Sequence, residues 1–77
     1  MDQRQIQLVL EICNNVDLLV TQDQGTVDLE VLERARLKMN DFIWNQRYRE
    51  AENIAYAILL VRSGCQAKDY LLEMVRG

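Results

Sequence analysis

The placement of helix-breaking residues constrains this chain more than any other feature of its sequence. There is no proline, and the three glycines are Gly25, Gly64 and Gly77. Because proline and glycine are the residues that most disfavour a helix, the long stretches between these positions contain no helix breaker. Apolar residues recur along them at intervals of three and four, which is the period of an α-helix. The sequence therefore predicts an all-α fold of three or four antiparallel helices, arranged as a small helical bundle.

Four helices are predicted in a single domain that spans residues 1–77. The segment TQDQGT, residues 21–26, collects turn-forming residues and is expected to be a loop. A bend is expected at NQR, residues 45–47, and the alternative is a helix continuous through it, since the segment has neither glycine nor proline. Gly64 is suited to end the third helix in the left-handed conformation. The approximate helix bounds are 4–20, 27–45, 47–62 and 65–76.

Apolar residues at helical spacing define the predicted core. The expected inner faces are Ile6, Val9, Leu10, Cys13, Val16 and Val20 in the first helix, Leu32, Ala35, Met39, Phe42 and Ile43 in the second, Ala51, Ile54, Ala55, Ile58 and Leu59 in the third, and Ala67, Tyr70, Leu71, Met74 and Val75 in the fourth. Ala51 and Ala55 are one turn apart and small enough to let a neighbouring helix approach closely. Ala57 is off this stripe and is expected to face solvent.

The first helix carries more apolar surface than a helical domain of this size needs. Leu8, Ile12, Leu18 and Leu19 widen its apolar stripe, so that contact with a second neighbour or another chain is expected. A core built from 77 residues supplies on the order of a few kcal/mol of stability, which favours a partner protein or a homodimer. The predicted partner-binding residues are Leu8, Ile12, Leu19, Trp44, Tyr48, Tyr56 and Leu60.

The only tryptophan, Trp44, falls off the apolar stripe of the second helix. A lone tryptophan at a helix end usually fills the space between helices, and this interpretation is favoured. The other interpretation is an exposed anchor for a partner protein.

Charge is distributed unevenly along the chain, whose net charge is −3 at pH 7. Residues 1–33 hold seven acidic residues and one arginine, and residues 34–77 hold eight basic and five acidic residues. The two parts are expected to attract each other, either within one chain or in an antiparallel dimer. Nucleic-acid binding is disfavoured because the chain is acidic overall and its bases are interleaved with acids. The bases that would serve it are Arg34, Arg36, Lys38, Arg47 and Arg49.

The sequence offers little for catalysis or metal binding. It contains no histidine, the commonest general base and metal ligand near neutral pH. Cys13 and Cys65 are far apart and form no CxxC pair, so reduced structural thiols are predicted. No glycine-rich phosphate loop or Ser-His-Asp set is present. We therefore expect no enzymatic activity, no cofactor, no metal ion and no small-molecule substrate.

No apolar run is long enough to predict a membrane-spanning helix. A run such as AYAILLV is far shorter than the roughly 20 residues that cross a bilayer. The first residues lack the basic start, apolar stretch and cleavage site of a signal peptide. A cytoplasmic protein without a membrane partner is expected.

A segment in the second half of the chain resembles a tetratricopeptide-type helical hairpin. Phe42 stands near the end of one helix, and QRYREA follows at the turn. Ala51, Ala55 and Ile58 then lie along the next helix. The stretch RYREAENIAYAILLV, followed by YLLEM, is similar to the repeats of bacterial type III secretion chaperones. This resemblance covers about 43 residues from Ala35 onward and implies a hairpin with flanking helices that serves as a small co-chaperone or assembly partner.

The sequence thus predicts a non-enzymatic protein-interaction module, in its most concrete form a small chaperone or assembly adaptor of a bacterial secretion system. The alternative is a small regulatory protein that binds a transcription or signalling component, or nucleic acid, through the five basic residues named above.

Overall fold

The computed structural model describes residues 2–22, 29–63 and 68–76, which are helical apart from short turns. The helices are α1 (Gln3–Gln22), α2 (Leu29–Trp44), α3 (Tyr48–Arg62) and α4 (Lys68–Arg76). No strand occurs in the described ranges, and the prediction of an all-α fold with four helices is confirmed. Most of the predicted loop, together with Gly64, Cys65 and the predicted start of the fourth helix, lies outside the described residues.

Side-chain hydrogen bonds extend α1 beyond both of its predicted ends. Asp2 Oδ1 accepts from the backbone N–H of Gln5 at 2.9 Å, and Gln5 Oε1 accepts from the N–H of Asp2 at 3.3 Å. This reciprocal pair is a capping box, which satisfies donors that the first turn leaves free. At the other end the Thr21 hydroxyl donates to the Leu18 carbonyl at 3.1 Å, and the helix continues past the predicted start of the loop.

A tight turn joins α2 to α3 at the predicted bend. The N–H of Arg47 donates to the carbonyl of Phe42 at 2.8 Å. The N–H of Gln46 donates to the carbonyl of Ile43 at 3.0 Å, which completes the pair of bonds of a Schellman motif. Gln46 has a φ of 61°, the left-handed conformation that this motif requires. The cations of Arg47 and Lys38 lie 5.3 and 5.4 Å from the centre of the Phe42 ring and stabilise the turn by cation–π contacts.

The four helices share one apolar core. Its buried residues are Val9, Cys13, Val16, Val20, Leu32, Ala35, Met39, Ala51, Ile54, Ala55, Ala57, Ile58 and Leu71. Most of the predicted inner positions are therefore buried or packed against the core. Leu10 and Tyr70 were predicted inside and are exposed, because each lies about a quarter turn from the buried face of its helix.

The helices form an open array in which α2 and α3 are central. α1, α2 and α3 pack against one another, and α4 packs against α2 and α3. Within the described residues α1 does not touch α4, so α4 occupies the groove between α2 and α3 on the side opposite α1. A closed four-helix bundle would bring its first and last helices together. Here a helical hairpin, α2–α3, has one flanking helix on each side.

Ala57 is buried, and the expectation that it faces solvent is wrong. It lies on the flank of α3 opposite Glu52, and the Glu52 carboxylate is close enough to Cys13 of α1 to affect that thiol. Since α1 covers one flank of α3, the other flank faces α4. Packing of α4 therefore widens the buried face of α3 beyond the stripe that residue spacing defines.

A polar network ties α1 to α2. Asp17 Oδ1 accepts from Arg36 Nη1 at 3.1 Å, and Asp17 Oδ2 accepts from Asn40 Nδ2 at 3.3 Å. Arg36 also donates to Glu33, and this hydrogen bond holds the pKa of the Glu33 carboxyl below its usual value. The Arg36 side chain is only 18% exposed, so the pairing is partly shielded from water. The expected attraction between the acidic first helix and the bases that follow is present as this ion pair.

Candidate protein-interaction surface

Large apolar side chains remain exposed on both sides of α1. One group lies on one edge of α1 and on the outward surface of α3, and we call it the α1–α3 face: Leu8, Ile12, Leu19, Tyr56 and Leu60. A second group lies on the outward surface of α1 and α2, and we call it the α1–α2 face: Leu10, Leu18, Leu29, Leu37 and Trp44. The seam between α2 and α3 is covered by α4.

The three predicted partner-binding residues of α1 lie on one edge of that helix. Leu8, Ile12 and Leu19 are spaced by four and seven residues, which brings them to a common edge. Asp17 lies on the opposite flank of the buried face and points to α2 through its ion pair. The edge that carries Leu8 therefore borders α3. Leu8 is 54% exposed, Leu19 is exposed to a lesser degree, and Ile12 is half-buried against the core.

Tyr56 and Leu60 supply the α3 side of the same face. Glu52 marks the flank of α3 that is turned to α1, because its carboxylate acts on Cys13. Tyr56 and Leu60 follow Glu52 at intervals of four and point progressively outward from that flank. Both are about half exposed. Five of the seven predicted residues thus lie on α1 or α3 and are exposed or half-buried.

Trp44 and Tyr48 do not belong to this face. Trp44 is 86% exposed at the end of α2, so the favoured expectation that it fills space between helices is wrong. Trp44 shares an edge of α2 with Leu37, which is seven residues earlier. This edge and Tyr56 lie on opposite sides of α1. Tyr48 is half-buried and packs against the core, which leaves it little surface for a partner.

The α1–α2 face was not predicted from the sequence. It contains an open groove of about 680 Å³ beside the end of α1 and the start of α2, with walls that include Val20, Leu29 and Leu37. Charged side chains cross this face: Arg34 pairs with Glu30 at 3.8 Å, and the Asp17–Arg36–Glu33 network lies next to it. The sequence did carry a signal for this face: Leu37 and Trp44 are seven residues apart, and this spacing places both on one edge of a helix.

The five basic residues of the alternative function do not form one patch. Arg36 is held between Glu33 and Asp17, and Arg34 is paired with Glu30. Arg47 pairs with Glu50 at 3.4 Å and shares the Phe42 ring with Lys38. Arg34 and Lys38 lie on one side of α2 and Arg36 on another, so their charges do not converge as a phosphate-binding surface requires.

Cys13 is a buried free thiol. Burial, with a smaller effect from the Glu52 carboxylate, raises the pKa of Cys13 from 9.0 to about 11. The thiol is therefore protonated near neutral pH and is a poor nucleophile and metal ligand. Nor do any three cysteine, aspartate or glutamate side chains of the described ranges converge as a metal site would need.

Comparison with known proteins does not assign this chain to a family. No protein-family model matches the chain, and neither a curated protein nor a solved structure does. Each helix within the described residues is too short or too polar to traverse a bilayer. The surface of the described residues is thus the main source of functional information.

Proposed function

We propose that this protein is a non-enzymatic protein-interaction module of the cytoplasm, acting as a small chaperone or assembly adaptor. The observation that carries the proposal is the α1–α3 face, where Leu8, Ile12 and Leu19 of α1, with Tyr56 and Leu60 of α3, leave apolar surface exposed or only half-buried. Monomeric soluble proteins rarely leave a contiguous apolar area of this kind uncovered unless it binds something.

The composition of the α1–α3 face suits a protein partner. The residues that lie between Leu8 and Leu19 on this edge of α1 are Ile12 and Asn15, and neither is ionisable. Interface centres are depleted in charge and enriched in aromatic residues such as Tyr56. Two helices side by side also offer a shallow groove that accepts the apolar face of an amphipathic helix.

A role beside a bacterial secretion system is the most concrete form of this proposal. Its support is the resemblance of the α2–α3 segment to the repeats of type III secretion chaperones. The buried small residues Ala35, Ala51 and Ala55 permit the close helix approach of such a hairpin. The flanking helices then carry the surface that a client or assembly partner would contact.

Affinity capture from the native cell, followed by mass spectrometry, tests the docking face. We expect Leu60→Lys to remove specifically captured proteins, because a lysine covered by an apolar partner surface must lose its hydration. Leu37→Lys is the matched control, since Leu37 is 57% and Leu60 46% exposed but Leu37 is on the α1–α2 face. Thermal melts establish that both variants fold.

The results for the two variants decide which apolar face binds the captured proteins. Capture that survives Leu60→Lys and fails with Leu37→Lys would move the docking site to the α1–α2 face. Capture that neither substitution changes would remove the apolar faces as the basis of function.

A further inference from the structure

The exposed edge of α1 carries a pattern that is nearly the same when read from either end. Its residues, which we call the α1 stripe, are Gln5, Leu8, Ile12, Asn15, Leu19 and Gln22. The intervals alternate between three and four, as in the seam of a coiled coil. They are symmetric about a point between Cys13 and Asn14, one residue from the middle of the helix, and only Ile12 and Asn15 break the symmetry of residue type.

This symmetry matches the requirement of a two-fold interface. In such an interface a surface must be complementary to itself, with residue i against j and j against i. If two α1 helices lie antiparallel and centred on each other, Leu8 of one copy meets Leu19 of the second. Gln5 then meets Gln22, and Ile12 meets Asn15. Every position of the stripe obtains a partner of matching polarity except the central pair.

Charge favours the antiparallel orientation over the parallel one. Arg4 and Arg49 are exposed near the starts of α1 and α3, and these two starts lie at the same end of the molecule because Ile6 adjoins residues 46–50. Parallel pairing would bring these cations of both copies together. Antiparallel pairing separates them by about the length of α1, roughly 30 Å for 20 residues. It also opposes the two helix dipoles.

The stripe itself removes a further obstacle to self-association. Two copies that each carry a net charge of −3 repel at long range. The α1 stripe contains no ionisable side chain, so pairing of the two stripes desolvates no charge of their own, and the Glu52 carboxylate on the adjoining flank of α3 is already half-buried in the single chain. Together with Tyr56 and Leu60 at its margin, the stripe exposes roughly 400 Å² of apolar surface if its side chains have ordinary sizes. A standard interface buries ~800 Å² per partner, and the apolar part of that area is of similar size.

We infer that a second copy of this chain occupies the α1–α3 face by antiparallel, two-fold pairing of the α1 stripes. The inference deepens the proposed function, since it names the occupant of the same face and the register in which it lies. The contacts nearest the two-fold axis are Ile12 and Asn15, and the outer apolar contacts are Leu8 with Leu19.

Sedimentation equilibrium of the full chain and of charge variants tests this register. We expect the wild type to dimerise at micromolar concentration, and Leu8→Lys and Leu19→Glu each to raise the dissociation constant at least tenfold. The double variant with both substitutions should recover most of the affinity, because each introduced lysine faces an introduced glutamate of the other copy. Leu37→Lys, at a similarly exposed leucine outside the stripe, should leave the dissociation constant unchanged.

The inference is overturned if the wild type is monomeric at hundreds of micromolar, or if the single variants dimerise as well as the wild type. It is also overturned if the double variant stays monomeric, which is the result that parallel pairing predicts. A wild-type monomer whose partner capture is lost with Leu60→Lys overturns the pairing and leaves the proposed function standing. A dimer that the double variant restores, together with capture that Leu60→Lys does not change, supports the pairing and removes the proposed function.

Discussion

At the scale of single residues, Gln46 holds a conformation that glycine adopts more easily. Its φ of 61° ends α2, and a side chain in this left-handed region costs about 1–2 kcal/mol. Glycine avoids this cost, although it makes the unfolded chain more flexible. We expect Gln46→Gly to raise the free energy of unfolding in urea by about 0.5–1 kcal/mol, as the net of the two effects.

The neighbouring residue provides the control for that substitution. Among the described non-glycine residues only Gln46 has a positive φ, so Asn45→Gly gives no relief of strain and should lower stability. Equal effects of glycine at the two positions would contradict the role of the left-handed conformation. The bend itself was predictable from residue types, but the sequence has no glycine to mark which residue turns.

Single residues also show a signal that was present and missed. Asp2 and Gln5 have the spacing of a capping box, a known start of a helix, and they set the first residue of α1. Trp44 shows the opposite case. Its position off the apolar stripe agreed with exposure, but the general preference of tryptophan for packed sites favoured burial.

At the scale of helix pairs, Asp17 should contribute more than an ordinary surface acid. It accepts from Arg36 and Asn40 across the α1–α2 seam, and the Arg36 side chain is only 18% exposed. Asp17→Ala leaves part of a shielded guanidinium unpaired, so we expect a loss of about 1–2 kcal/mol in urea unfolding. Glu30→Ala is the control, because that acid is exposed and its ion pair should be worth less than about 0.5 kcal/mol.

The alanines of α3 test how closely the helices approach. Ala51, Ala55 and Ala57 are all buried, so leucine at any of them overpacks the core and should cost about 1–3 kcal/mol or unfold the chain. Asn53→Leu, at an exposed position of the same helix, should change the melting temperature little. If the three alanine variants melt like Asn53→Leu, the close packing of α3 against its neighbours is wrong.

The same helix shows what residue spacing can predict. The stripe of Ala51, Ile54, Ala55 and Ile58 repeats at the helical period, and it was identified correctly because a buried helical face repeats at that period. Ala57 was missed because α4, packed on α3 in addition to α1 and α2, covers an adjacent flank. Spacing within a helix carries no information about how many other helices pack on it. The division of the exposed apolar residues between two seams has the same origin, since it depends on which helix lies on each side of α1.

At the scale of the whole molecule, the open array implies unequal stability among its parts. Within the described residues α2 and α3 each pack against three helices, whereas α1 and α4 each pack against α2 and α3 alone, and α4 is the shorter of these two flanking helices. α4 has nine residues, too few for a stable isolated helix in water, and Leu71 is its fully buried residue in the described ranges. The backbone amides of α4 are therefore protected from hydrogen exchange only while α4 is packed in the groove between α2 and α3.

Hydrogen exchange read by mass spectrometry can resolve this difference. We expect amides of α4 to exchange faster than those of α1, α2 and α3, because regions with few buried contacts open without global unfolding. Leu71→Ala should remove about 2–4 kcal/mol from the docking of α4 and speed its exchange further. Protection of α1 should stay near the wild-type value in that variant, since α1 does not contact α4 in the described residues. Exchange that accelerates equally in all four helices would show that α4 is part of a single cooperative unit, and the open array would then behave as one closed core.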